Sequence, residues 1–447
     1  MSNQKDNYTF LTQAPVHHVI LKMAVPTIIS MLVTSLYNMA DTYFVGKLDT
    51  QSTAAVGVSF SAMAIIQAIG FFFGHGSGNY ISRRLGAKDT ANAAKMAATG
   101  FFYSIAFGCI IAIFGQLFLT QISTALGSTP TILPYTEQYL GIMLLGAPLM
   151  TGSFTLNNQM RFQGNAALSM YGIIAGAILN VGLAPLFIFV FDMGIRGAAI
   201  AAVISMACSF CILLAMTCRE QSIHINPRNF SFSRSYIKEI IIGGTPSLSR
   251  QGLGSISTIL LNVAAGAYGD AAIAGMSIVT RITFLVFSVN IGLGQGFQPL
   301  CGFCYGAGLY DRVKEGFMYC IKIGTVFLVV LAVFGYIFAE QIVEEFRHDA
   351  DVVAVGAAAF RWQLITFPLI TTILLTNMFL QTIRKPIRAN IVAASRNGLF
   401  FIPLIILLPH FFGLAGVEMS QAMSDVCSFL ISAPIAYSAF RDMKKNG

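Results

Sequence analysis

The sequence predicts an all-α polytopic membrane protein, with twelve transmembrane helices in two six-helix bundles related by a pseudo-two-fold axis along the membrane normal. Three observations predict it. The 447-residue chain is 55% hydrophobic and 10% charged, with a mean hydropathy of +0.71, whereas soluble domains are roughly 25% charged. Apolar runs of about 20 residues or more, the length that crosses a bilayer, recur from end to end. The chain also repeats itself at an offset of 220 residues, the separation of Pro26 and Pro246. At that offset Gly74, Gly76, Gly86 and Ala87 meet Gly294, Gly296, Gly306 and Ala307, and Asn157 still meets Asn377. A hydrophobic chain duplicated in this way has the internal symmetry of a transporter.

In order, the spans of the first half fall near 19–45, 53–82, 93–119, 137–160, 166–191 and 195–218. Those of the second fall near 237–268, 272–304, 316–339, 353–382, 388–409 and 412–439. The first span of each half carries a mid-helix proline, Pro26 or Pro246, which removes a helix hydrogen bond and offers a hinge or a static bend. The long second span ends in a glycine-rich tail, Gly74-His75-Gly76-Ser77-Gly78 or Gly294-Gln295-Gly296-Phe297-Gln298, where backbones can approach closely. In the fifth span Asn180 precedes Pro185, which frees the carbonyl of Val181. Domain limits follow: residues 1–218 and 236–447 as the two bundles, and 219–235 as a cytoplasmic linker. The polar first 15 residues and the long run after them predict no cleavable signal peptide.

Charge orients the chain. With the N-terminus inside, 21 of the 27 Lys and Arg fall on the inner side, three outside (Lys47, Arg196, Arg347) and three deep within spans (Arg250, Arg281, Arg361). That bias predicts both termini in the cytoplasm. It also explains the net charge of +8 through contact with lipid headgroups, so nucleic acid is excluded as a partner. An even number of spans per half makes the repeats parallel, with a binding cavity expected between them.

Ionisable groups inside a span cost roughly 2.5–3.5 kcal/mol and need a reason. Asp41, in the outer half of the first span beside Tyr37 and Asn38, is the sharpest case. Its repeat mate is Leu261, so symmetry does not call for an acid there. A half-buried carboxylate can carry a proton; the plainer alternative is an acid bonded near a helix end. Asn180 either joins Asp41 in binding a cation or bonds backbone freed by Pro185. Asp425 is a candidate counter-ion for Arg250, Arg281 or Arg361, and Glu418 is expected in solvent. Cys301-Gly302-Phe303-Cys304 has redox spacing but lies in a membrane helix, so it is set aside. The His17-His18 pair has no further ligand near it in sequence, and no Walker loop occurs. Neither a metal nor an organic cofactor is expected.

Several stretches resemble the multidrug and toxic compound extrusion (MATE) family, in its MepA-like or DinF-like branch. Pro26 with Asn38-Met39-Ala40-Asp41-Thr42-Tyr43-Phe44-Val45-Gly46 is similar to the family's first-helix pattern. Ser82-Arg83-Arg84-Leu85-Gly86-Ala87, Arg161-Phe162-Gln163-Gly164-Asn165, Gly194-Ile195-Arg196-Gly197-Ala198-Ala199 and Gly296-Phe297-Gln298-Pro299-Leu300 resemble later family segments. The resemblance implies a V-shaped, non-enzymatic antiporter, a monomer among membrane lipids, exporting amphipathic and often cationic drugs in exchange for H⁺ or Na⁺. It assigns cation coupling to Asp41, with Tyr37, Asn157 and Asn180 lining the same polar pocket. From the residues themselves, Asn180 is placed with Asp41 in cation coupling, Asn38, Arg281 and Gln298 with the pocket lining, and Pro26 and Pro246 as hinges. Two departures stand out: the family pattern has an acid where this chain has Ala184, and Thr where it has Ala202. With fewer oxygens for a metal ion, H⁺ is the expected coupling ion. The competing reading is a flippase for lipid-linked precursors, which Arg250 and Arg281 favour.

Overall fold

The structure, a computed structural model, describes residues 2–219 and 222–445, leaving out the side chains of 2–6, 38 and 445. Helix α1 (Ser2–Gln13) precedes the first half. That half comprises α2 (Val16–Gly46), α3 (Thr50–Gly86), α4 (Thr90–Leu117), the short α5 (Leu119–Ala125), α6 (Leu133–Leu145), α7 (Ala147–Phe162), α8 (Ala166–Pro185) and α9 (Gly194–Thr217). The second half comprises α10 (Arg234–Gly266), α11 (Asp270–Gly306), α12 (Tyr310–Ile337), the short α13 (Ala339–Glu344), α14 (Ala350–Thr382), α15 (Pro386–Ala394), α16 (Phe401–Phe412) and α17 (Leu414–Lys445).

Ten stretches are long and apolar enough to cross a membrane, and α6 with α7, bent by 49°, makes an eleventh. The twelfth crossing helix, α10, has the length, 33 residues, but is too polar to meet the same measure. It carries Ser247, Ser249, Arg250, Gln251, Ser255 and Ser257 in succession, the composition of a helix that faces something other than lipid. Pro26 and Pro246 sit inside unbroken helices. After Pro185 the chain widens into a π-helical turn, Leu186–Val190, where the fifth span was expected to kink.

The two halves meet along a seam in which α2 packs on α11 and α3 on α10 and α11. Glycine makes the seam. A Cβ added to Gly86 would lie 2.2 Å from the Phe303 carbonyl oxygen, and one on Gly306 would lie 2.0 Å from that of Arg83. These are two-fold mates, since Gly306 matches Gly86 and Phe303 matches Arg83. Gly76 likewise abuts the backbone of Ile240, Gly292 that of Ile28 and Gly296 that of Ala24. All these contacts lie in the C-terminal halves of α3 and α11. Towards the other end, the outermost polar contact across the α2–α11 seam is Ser35 Oγ with Ser288 Oγ, at 3.0 Å. Beyond it the line of contact gives way to exposed residues such as Met39, Phe60, Phe284 and Leu285. The molecule is closed at one end and open at the other.

The connection between the halves lies against the closed end of the first. Ile223 N–H donates to Gln163 Oε1 at 2.7 Å, and Ser231 N–H to Thr99 Oγ1 at 3.2 Å.

Candidate functional site

Asp41 lies on α2 one turn before Val45, and Asn180 lies on α8 one turn before Ala184. Val45 and Ala184 belong to one buried cluster with Tyr139, Met143, Ile188 and Ala202, so the two polar residues sit beneath it on neighbouring helix faces. Asp41 is 8% exposed and Asn180 1%. Tyr139 donates its hydroxyl to Asp41 Oδ2 at 3.3 Å. Asp41 Oδ1 and Asn180 Nδ2 are buried with no hydrogen-bond partner among the described residues. Each open group costs about 1–3 kcal/mol; the Asp41 oxygen, an acceptor, is the one that can take a proton or a small cation, whereas the Asn180 amide nitrogen is a donor and calls for an oxygen. Tyr37 stands one turn before Asp41, within electrostatic reach of its carboxylate. Ala184 and Ala202 are fully buried in the cluster and contribute no side-chain oxygen.

A second polar assembly, which sequence reading missed, lies in the seam. Arg161 is 1% exposed and at the end of α7. Its Nη1 donates across the seam to Gln295 Oε1 at 2.7 Å, and its Nη2 to Asn158 Oδ1 at 2.6 Å. His75 Nε2 lies 3.2 Å from the same Nη2, and its Nδ1 lies 2.9 Å from Ser247 Oγ on α10. Gln381 Nε2 donates to that serine at 2.8 Å. Gln295 and Gln381 are the repeat mates of His75 and Arg161. The Arg161–Gln295 bond is therefore matched, through Ser247, by a Gln381–His75 link, and the Arg161–His75 contact joins the two into one polar chain across the seam. Nearer the closed end, Arg83 joins Glu239 at 3.1 Å and the Thr382 carbonyl at 2.8 Å. Thr382 Oγ1 donates to Asn79 Oδ1 at 2.8 Å.

Asn157 holds α7 to α8 by donating Nδ2 to the Ser169 carbonyl at 2.9 Å, and Asn377 repeats this with the Ala389 carbonyl at 2.8 Å. Arg281 is exposed, two turns along α11 from Ser288 on the face that meets α2, and so looks into the open cleft. The side chain of Asn38 lies outside the described residues. Gln298 does not line the cleft: it is fully buried near the closed end, with Nε2 3.4 Å from Gln381 Oε1, because its glycine-rich segment forms the seam. Asp425 pairs with none of the three arginines considered for it. It takes Arg396 at 2.7 Å, and Arg361 pairs with Glu340 at 3.1 Å. The π-helical turn Ser395–Leu399, inside the span predicted near 388–409, carries Arg396 to Asp425. Glu418, expected in solvent, is only 8% exposed, on α17.

No group of three or more His, Cys, Asp or Glu that could hold a metal ion occurs among the described residues. The sequence profile of the MatE family matches the chain twice, over residues 26–186 and 246–407. The chain is 28% identical over 434 residues to the multidrug export protein MepA of Staphylococcus aureus, covering 96% of this chain and 95% of MepA. Its fold is similar to that of a crystallised MATE protein in complex with MaL6 (TM-score 0.93, 25% identity, 98% of this chain and 99% of the other). It is also similar to a multidrug resistance MATE family transporter in an outward-facing conformation (TM-score 0.92, 25% identity, 97% and 98% covered).

Proposed function

The chain belongs to the MatE family, and from that premise we propose that it is a secondary active multidrug antiporter of the cell membrane, exporting amphipathic, often cationic compounds in exchange for protons. In this reading it works as a monomer with both termini cytoplasmic, and residues 219–235 link two units, 1–218 and 236–447. The cleft then opens outward, and the glycine seam closes the cytoplasmic side.

One observation carries the reading: a carboxylate of the first half, Asp41, buried among membrane helices with one oxygen held by Tyr139 and the other open. A proton needs one such oxygen, whereas Na⁺ is bound through several, and Ala184 and Ala202 supply none. Protonation of Oδ1 removes the charge that the pocket holds for a cationic substrate. It also lets α2 reseat, with Pro26 as the bending point, so that proton entry and substrate release exclude one another. One charge crossing 100 mV supplies about 2.3 kcal/mol, and a tenfold proton gradient about 1.4 kcal/mol. Exchange of a monovalent cation for one proton moves no net charge and therefore runs on the pH gradient alone.

The test is ethidium uptake into inside-out proteoliposomes under an imposed proton gradient or, separately, a sodium gradient. Uptake driven by the proton gradient and reduced at least 100-fold in Asp41→Asn is expected. Uptake that survives in Asp41→Asn removes this carboxylate from coupling, and uptake driven only by sodium replaces the coupling ion.

A further inference from the structure

Arg250 is the midpoint of α10, seventeenth of the 33 residues from Arg234 to Gly266, and so sits deep in the membrane. Ile240, Gly243 and Ser247 form the face of α10 that touches α3 along the seam. Arg250 continues that face one turn further, where the seam opens into the cleft. The structure fixes it from one side only. Asn377, 2% exposed, has its amide nitrogen tied to the Ala389 carbonyl, which leaves Oδ1 to accept from Arg250 Nη1 at 2.6 Å. The guanidinium is half-buried, and none of its nitrogens is among the enclosed, unpaired atoms. Its remaining donors are therefore neither bonded nor fully enclosed.

No carboxylate neutralises it. Among the described residues no ion pair includes Arg250, Arg161 or Arg281. Arg161, buried one layer below, is close enough for the two guanidinium groups to repel each other, and its Nε is buried without a partner. Arg281 adds a third positive charge on the wall. An intramembrane arginine with neutral partners, a preset orientation and a free fork is the arrangement that takes a planar or tetrahedral oxyanion.

We propose that Arg250, presented by Asn377, is an oxyanion subsite on the cleft floor, binding the carboxylate, sulfonate or phosphate group of an amphipath. The proposal rests on the cleft being the substrate path. It extends the substrate class from cations to amphipaths that carry an oxyanion, alone or beside a cationic group. The same chemistry can come from a dissolved amphipath or from the headgroup of an anionic lipid.

The test is equilibrium binding of taurocholate, an amphipathic sulfonate, by calorimetry on the full chain in maltoside micelles. Arg250→Gln is expected to weaken binding at least tenfold. Arg250→Lys, which keeps the charge and loses the fork, should sit between it and the wild type, and Asn377→Ala should weaken binding about threefold. Each variant is first checked for a monodisperse elution profile; if Arg250→Gln aggregates, the lysine and Asn377→Ala variants carry the test. Equal affinity in all variants that fold overturns the proposal. Repeating the titration in nanodiscs with and without phosphatidylglycerol separates the sources. Competition by that lipid in the wild type but not in Arg250→Gln assigns the site to headgroups as well. No competition, with taurocholate binding still dependent on Arg250, assigns it to dissolved amphipaths, and competition equal in both proteins counts against the site. Binding needs no ion gradient, so loss of ethidium transport with Arg250-dependent binding intact would sink the antiport reading and leave this one standing.

Discussion

The two halves share a scaffold and differ in what they hang on it. Asn157 and Asn377 make the same clamp, each to the carbonyl twelve residues further on, and Gly86 and Gly306 make the same backbone contact across the seam. At mated positions with chemistry the halves part. Asp41 faces Leu261 in the alignment of the repeats, His75 faces Gln295, Arg161 faces Gln381, and Arg250 faces Ser30. Ser30 bonds its own helix at the Pro26 carbonyl and leaves the first-half clamp without a cation. Residues kept in both copies are therefore those that hold helices together. Those found in one copy are the candidates for function.

The comparison is broken most severely at the shared glycines. Gly86→Ala or Gly306→Ala places a methyl group on the opposing backbone, and overpacking of this kind costs about 1–3 kcal/mol. A lower melting temperature is expected, together with a longer and broader spin-label distance across the closed end. Gly46→Ala meets nothing within 4 Å and should leave both unchanged; equal effects at Gly46 and Gly86 would refute the glycine seam. Next in size is Arg161→Gln, which gives the first half the residue of the second. It removes charge-assisted bonds worth about 1.5–3 kcal/mol, and faster hydrogen exchange in α7 and in the C-terminal part of α3 is expected. Unchanged exchange would mean that this polar chain contributes nothing to closure.

The smallest effect sharpens the comparison at the helix caps. Asp89 begins α4 and accepts from Asn92 N–H at 3.1 Å and from the Asn92 side chain at 2.7 Å. Its mate Leu309 begins α12 with no side-chain cap. The Asn92 side-chain bond above all, with help from the Asn92 N–H and Arg84, holds the Asp89 carboxyl below the usual carboxylate range. A depressed carboxylate stabilises the fold above its unfolded value and loses that contribution as pH falls through the folded one. Asp89→Ala should thus cost about 1 kcal/mol at neutral pH and less in acid, measured by thermal unfolding from pH 7 to pH 3. Leu309→Asp should gain a comparable amount; a gain at neither pH would show that α12 needs no cap.

Much of the architecture was legible because it rests on long, additive signals. Apolar runs set the spans, and the constant 220-residue offset set the duplication. Asp41 stood out because a lone acid in an apolar run is costly wherever it points. The seam was harder to read. Arg161 closes a helix and precedes Phe162-Gln163-Gly164, so it looks like one more basic residue of an inside loop, and only the approach of the other half buries it. The pairing of Arg396 with Asp425 was no easier to read, since it depends on where a π-helical turn places the arginine against α17. A signal did exist for the polar chain: His75 and Gln295 occupy matched places in the two glycine-rich tails. Its meaning depends on α3 and α11 lying side by side, which periodicity within one helix does not encode.

Had the two copies stayed identical, two-fold symmetry would have cancelled any electric field directed from one bundle to the other. With an acid at position 41 and a base at position 250, the cleft acquires a transverse dipole. A zwitterionic guest would then be held in one orientation, its cationic end towards the first half and its anionic end towards the second. Neutralising either pole would remove the orienting field together with that pole's own contact, so weaker binding of the matching group and a looser choice of guest would appear together.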